Sequence, residues 1–335
     1  MRIQHGTDFT EDTNNHPFVY LQKYKNFVER TEKKSLVYFI SENGITCVGS
    51  LWKAKIINLL QLLHPPLDAK ANRLSQPDEE KFLNTLVRHI EASKLADRIL
   101  QPENFAIFKA TPKSSTIASF GTYYLDLTSA TEDQLFKNLH GKHRNVVRSA
   151  EANGVLIKFG KDCILDFYSL FEQTMKRSSL FCEPLSYFKD MFSYMEGNIL
   201  CAVAYYDEIP QGALFMPFTH YGAYYLYGAS AEKMEVNGAM NYLHWEAIKW
   251  LKKQQVRRYD FVGARLSDVT GTKLHGIQQF KERFGSSLEK GFLWKMDVNP
   301  NRCTAFDLLL KVKTKLNKTQ MPFDIIDQEN LKRAN

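Results

Sequence analysis

Three apolar runs at 199–206, 212–218 and 223–229 follow one another across short polar turns, and a long helical run at 239–253 comes next. Apolar runs joined by such short turns must pair as antiparallel neighbours, because a parallel return needs a long crossover. The second and third read as a hairpin around His220-Tyr221-Gly222. The helix, with Met240, Leu243, Ala247, Trp250 and Leu251 turned inward, must then cover one face of the sheet.

The first half repeats the order loosely. A short helix is expected over 17–30, then strands at 36–40 and 45–51 joined at Asn43-Gly44, a strong hairpin signal. Segment 53–63 is ambiguous between helix and strand. A helical run at 78–96 carries Leu83, Leu86, Val87 and Ile90 on one stripe, and strands are expected at 105–110 and 120–127. Ser129-x-x-Glu132 reads as a capping box opening one long helix through Leu135, Leu139, Val146, Val147 and Ala150, stopped by Asn153-Gly154. A strand at 155–159, a helix at 166–178, a strand at 258–262, a short helix and a strand at 291–298 complete the chain's alternation. The expected class is α+β (mixed α/β): two units, each a central, mostly antiparallel mixed sheet flanked by helices, with a cleft between.

A chain of 335 residues exceeds what one core usually supports, so two domains are expected at 1–154 and 155–300. The tail 301–335, basic around Lys311, Lys313, Lys315 and Lys318, would pack back on the first. A net charge of +7 favours anionic partners, or else reflects a solvated basic surface. Five scattered cysteines, odd in number and without a CxxC pair, speak against a disulfide scaffold and for a reducing compartment. The N-terminus lacks a signal-peptide core, and the greasiest patch, 56–63, is broken by Asn58 and Gln61 and too short to span a membrane. The reading is a soluble cytoplasmic protein. No metal-ligand spacing, nucleophile elbow or phosphate loop is present in the sequence.

The segment Gly276-Ile277-Gln278-Gln279-Phe280-Lys281-Glu282-Arg283-Phe284-Gly285, following Asp260-Phe261-Val262-Gly263, sets two cations beside two phenylalanines between glycines. That suits a phosphate-bearing substrate or a developing oxyanion. Phe280 and Phe284 at i,i+4 read as packing anchors. Arg283 could grip a phosphate or form a surface ion pair with Glu282 or Glu289. Lys142, Arg144 and Arg148 cluster on one helix and could bind a diphosphate or an RNA backbone, or simply be solvated. Asp260, ending a strand, could orient an amine or accept its proton, or cap the loop. Asn237 and Gly238 stand where an acyl-CoA enzyme would cradle a pyrophosphate, though one Asn-Gly reads more simply as a turn and cap.

Several stretches together resemble the Fem-type aminoacyl-transferase family, the non-ribosomal peptidyltransferases of peptidoglycan bridge synthesis. They are Lys142–Val155, Tyr227-Gly228-Ala229-Ser230, Asn241–Trp250, Tyr259-Asp260-Phe261-Val262-Gly263 and Phe280-Lys281-Glu282-Arg283-Phe284-Gly285, in that order across 120–298. The resemblance implies tandem acetyltransferase-like (GNAT-type) domains. It also implies transfer of an aminoacyl group from aminoacyl-tRNA to an amine of a cell-wall precursor, nucleotide-linked or lipid-linked, the latter bringing peripheral membrane contact. No long heptad segment occurs, so the form is armless. The resemblance assigns Lys281 to the donor end, where its cation would steady the oxyanion of acyl transfer; Tyr227 reads as structural or could face the acceptor. Two departures stand out: Val262-Gly263-Ala264 replaces an expected double glycine, and Leu274–Gln279 lacks the usual aromatic-basic pair. An acyl-CoA-dependent N-acyltransferase acting on an amino-sugar, lipid or peptide, and a non-catalytic binding module, remain as alternatives.

Overall fold

The computed structural model describes residues 1–9, 13–316 and 323–334. Its strands form two sheets. The larger runs from Ile3–Gly6 through Ser35–Ser41, Thr46–Ala54, Ile57–Leu62, Arg98–Leu100, Ser287–Asp297, Thr116–Asp126 and Arg258–Asp260 to Ala223–Tyr224, with Ala264–Arg265 also pairing to Thr116–Asp126. The smaller is antiparallel throughout: Tyr227–Ser230, Ile209–Pro217, Ile199–Tyr206 and Leu156–Phe159. The larger sheet contains two parallel pairs among the described residues, Ile57–Leu62 with Arg98–Leu100 and Ala223–Tyr224 with Arg258–Asp260. Each has a helix in the intervening chain, Gln76–Ser93 and Ala239–Lys253, as a parallel return requires. The fold is the mixed α+β class expected.

Thr116–Asp126 pairs antiparallel with Ser287–Asp297 from Ser287↔Tyr124 to Lys295↔Thr116. One hydrogen-bonded sheet thus crosses the expected boundary at residue 154. One core cluster likewise gathers Phe27 and Phe82 with Phe167, Phe188 and Phe215, and a second gathers Leu139, Leu243, Phe261 and Phe284.

Several local expectations are corrected. The run 223–229 is not one strand: Ala223–Tyr224 joins the larger sheet and Tyr227–Ser230 the smaller, so the chain changes sheets at Tyr225-Leu226. The long helix after the capping box is two, Glu132–Asn138 and Gly141–Ala152. The box itself is Thr131 with Gln134, and at the break His140 takes extended backbone (ψ 144°) while its ring accepts from the Lys142 amide. Segment 105–110 makes only the Phe108↔Phe292 bridge; its apolar side chains fill core from a loop. Helix Leu185–Tyr194, burying Phe188 and Met191 behind Pro184, was not expected. The 17–30 region is a turn, Phe18–Tyr20, then helix Gln22–Phe27 and a wider turn, Val28–Glu32.

Helix Pro300–Leu316 packs Phe306 against Ile57 and Leu59, and Asp307 pairs with Arg98 at 2.8 Å. Lys318 lies outside the described residues. Helix Ile325–Ala334 is tied to the larger sheet by Arg265–Glu329 and Lys295–Asp327, both 2.6 Å. No helix among the described residues is long and apolar enough to cross a membrane.

Candidate functional site

Alternation along Arg258–Asp260 puts Arg258 and Asp260 on one face, with Tyr259 buried on the other. The Asp260 carboxylate is 2% exposed and fully engaged. One oxygen accepts from Arg258 Nη2 at 2.8 Å; the other accepts from the Thr122 hydroxyl at 2.5 Å and the Val262 amide at 2.8 Å. Arg258 continues to Glu289 at 2.7 Å, which also meets Arg73 at 3.3 Å, and Arg73 lies 3.6 Å from the buried Glu79. Burial opposes ionisation of Glu289, but the guanidiniums of Arg258 and Arg73 outweigh it and hold its carboxyl below the usual range. This chain of charges fixes the end of the strand against the sheet.

The strand stops because Val262 (φ +54°) and Gly263 (φ +71°) both turn left-handed. Two glycines would adopt this turn freely. Valine, branched at Cβ, holds it at a cost of about 1–3 kcal/mol.

The turn aims its carbonyls at Lys281, in the last turn of helix Lys273–Glu282. Lys281 is 8% exposed, and its ammonium donates to the carbonyls of Val262 and of Gly263, the latter at 2.8 Å. Burial drives its pKa from 10.5 down to about 8, partly opposed by the negative charge of Asp260. The helix is held in place from behind. His140 N donates to Arg283 O at 2.8 Å, and Gly285 (φ +75°) passes so close to Asn138 that a Cβ would sit 2.6 Å from its carbonyl oxygen. The His143 ring lies 5.4 Å from Phe280 and 4.8 Å from Phe284, and the His244 ring 5.3 and 5.4 Å from the same pair. Phe280 and Phe284 are packing anchors. Burial depresses both histidines, His143 to about 4 with help from the Arg283 charge, and His244 to about 3 with help from His143 and Lys281.

The structure brings Lys281 and Asp260 together. Tyr227 lines the same cavity as Val262, its hydroxyl 3.2 Å from that of Tyr187. Arg144 is committed to packing: it donates to the carbonyls of Lys137, at 2.7 Å, and Leu139, closing the helix break. Lys142 and Arg148 are exposed, with Arg148 over the Phe136 ring at 5.2 Å. Arg283 is half-buried and forms no ion pair with Glu282 or Glu289 among the described residues; Glu289 belongs to Arg258 and Arg73. Asn237 and Gly238 precede helix Ala239–Lys253. A Cβ on Gly238 would come 2.5 Å from the Val146 carbonyl oxygen, so this turn serves close packing of two helices.

Sequence reasoning missed Arg258 and Thr122. Arg258 was legible as the residue two before Asp260 on the same strand face. Thr122 was not, since only the register Asp260↔Tyr124 brings the two strands together. It also missed the cavity of about 200 Å³ beside the turn, lined by Val262, Leu226 and Tyr227 together with Lys34, Ser50, Gln61 and Glu103.

The FemAB family model matches residues 112–208 and 206–292. Among solved structures, that of FemX superposes with a TM-score of 0.65 at 13% identity, covering 86% of this chain and 95% of that one. The C-terminal domain of a putative lysylphosphatidylglycerol synthetase from Agrobacterium fabrum gives a TM-score of 0.52 at 14% identity, covering 85% and 91%. At such identities these likenesses establish the fold. A search of curated proteins finds no match. With the two matched segments running unbroken over more than half of its length, the chain belongs to the FemAB family.

Proposed function

We propose that this chain transfers an aminoacyl group from aminoacyl-tRNA to an amine of a cell-wall precursor or related acceptor, with Lys281 steadying the oxyanion. The observation that carries this reading is the buried Lys281 ammonium, held on the carbonyls of a strained turn whose Val262 lines a cavity. An ammonium has three N–H donors, and the turn takes two. The third is left for the reacting carbonyl. A neutral acceptor amine attacks the ester carbon, the carbonyl oxygen gains negative charge, and collapse expels the terminal ribose oxygen, which takes up the proton that the amine loses and leaves as a hydroxyl. A cation fixed in advance in a poorly hydrated site lowers that barrier. Membership in the FemAB family and the FemX-like fold support the same chemistry.

Asp260, with its oxygens already occupied, acts as a positioning residue: it sets the Val262–Gly263 turn and biases the charge of Lys281. Lys142, Arg148 and Arg283 are the cations left for phosphates of tRNA or of a precursor, and Tyr227 borders the acceptor. The test offers charged tRNA and acyl-CoA donors to wall precursors and simple amines, with product followed by mass. Aminoacylated amine from charged tRNA, lost in Lys281→Met, is expected. Product from acyl-CoA alone, or binding without product, would overturn the reading in favour of an acyl-CoA enzyme or a binding module.

A further inference from the structure

Asp260 has two effects that conflict. Its Oδ1 accepts from the Val262 amide and so shapes the turn that holds Lys281, yet its negative charge reaches that same ammonium. A carboxylate paired with Lys281 would cancel much of the field that the ammonium offers a substrate. Arg258 stands on the carboxylate's other oxygen. Its Nη2 and Nε both donate to Oδ2, at 2.8 and 3.1 Å, while Oδ1 takes the Thr122 hydroxyl and the Val262 amide. The two oxygens are thus divided, one to the guanidinium and one to the turn.

The guanidinium is itself fixed in place. Nη1 donates to Glu289 at 2.7 Å, and Cζ lies 3.9 Å from the centre of the Tyr124 ring. Glu289 is held in turn by Arg73, which comes from the chain just before helix Gln76–Ser93 and donates to the Ile107 carbonyl at 2.7 Å. Charges alternate from Arg73 through Glu289, Arg258 and Asp260 to Lys281. All the hydrogen bonds that Arg258 makes among the described residues go to Asp260 and Glu289. Any influence it has on Lys281 therefore passes through Asp260.

We propose that Arg258 is a positioning residue for acyl transfer: by binding one oxygen of Asp260 it keeps that carboxylate on the turn and off the Lys281 ammonium. The proposal rests on the reading that Lys281 steadies the oxyanion. Without the guanidinium, Oδ2 loses both of its hydrogen bonds, and the carboxylate turns to Lys281, the cation its charge already reaches.

The test follows the Lys281 side chain by heteronuclear NMR titration of the full chain and needs no donor. Arg258→Met should raise the Lys281 midpoint by about one pH unit or more, the scale of an unmasked carboxylate nearby. In the transfer assay it should lower kcat about tenfold and KM by much less. The loss of rate on the alkaline side should move up with the midpoint, because the ammonium then persists to higher pH. Arg258→Met leaves a buried carboxylate without its cation and can cost the fold. Two further variants, Asp260→Asn alone and Asp260→Asn with Arg258→Met, remove that charge. Their Lys281 midpoints should both lie below that of wild type and within about half a unit of each other, since Arg258 then has no carboxylate to act through. An unshifted midpoint in folded Arg258→Met, or a difference of about a full unit between the two asparagine variants, would overturn the proposal. If the midpoints move as stated and no donor yields product, the role of Arg258 in setting Lys281 stands and the transfer reading falls. If charged tRNA yields product and the midpoints do not move, the role of Arg258 falls alone.

Discussion

Two turns in this molecule carry the same sequence signal, a residue followed by a glycine in the chain after a strand, and they do different things. At Asn237-Gly238 the left-handed glycine (φ +84°) lets helix Ala239–Lys253 pass within backbone contact of Val146. At Val262-Gly263 the left-handed glycine (φ +71°) has ordinary room, since a Cβ placed on it would meet nothing nearer than the Phe120 ring at 3.5 Å. That turn's carbonyls are spent on the Lys281 ammonium instead. One glycine is required by packing, the other by the direction in which two carbonyls point. Glycines in a sequence thus mark backbone freedom without saying whether chemistry or packing uses it.

The largest effect that separates the two turns is on activity. Lys281→Met should lower transfer roughly 100- to 1,000-fold, the scale of losing one oxyanion donor, with the chain still folded at a cost of about 1–3 kcal/mol for the carbonyls left without a donor. A wild-type rate would break the comparison. Next come the glycines themselves. Gly238→Ala meets both the Val146 backbone and a left-handed φ and should cost about 3 kcal/mol in denaturant unfolding. Gly263→Ala meets only the φ and should cost about 1 kcal/mol. Equal costs would mean that the two turns are not distinct.

A smaller effect comes from the histidines behind the Lys281 helix. Both titrate lower in the folded chain than the ordinary 6.5, so below that value the unfolded chain binds more protons. Stability should fall as pH drops from about 6.5 towards 4, by up to about 1.4 kcal/mol per pH unit for each histidine. Urea midpoints at pH 7 and pH 5 check this, and equal midpoints would contradict it. The smallest effect is expected from Val262→Gly. Relief of the left-handed valine should nearly cancel the greater unfolded-state freedom of glycine, leaving stability within about 1 kcal/mol. A loss of stability well beyond that in the same urea titration would mean that the valine side chain holds the turn.

Much of the architecture was legible because it follows period and punctuation. The bounds of Ala239–Lys253 came directly from its apolar stripe, and the Ser35–Ser41/Thr46–Ala54 hairpin came from Asn43-Gly44. Lys281 and Asp260 were legible as a strand end followed by a glycine-flanked cation, together with a family resemblance. What was lost depends on distant contacts. The break at Leu139-His140 is made by Arg144 reaching back to two carbonyls and by Arg283 accepting from His140, so helical periodicity ran straight through it. The change of sheets at Tyr225-Leu226 has no local signature, since both flanking runs look like one strand. The cavity draws its residues from separate stretches of chain, and no spacing rule joins Ser50 to Val262.

The proposed chemistry stands most directly on the protonation of Lys281. Heteronuclear NMR titration of its side chain, run alongside the pH dependence of transfer by wild-type protein, tests it. A Lys281 midpoint near 8 is expected, well below the ordinary 10.5, with the rate falling as pH rises through the same range because the ammonium is lost. A midpoint at the ordinary lysine value, or a rate that does not follow the Lys281 titration, would contradict it.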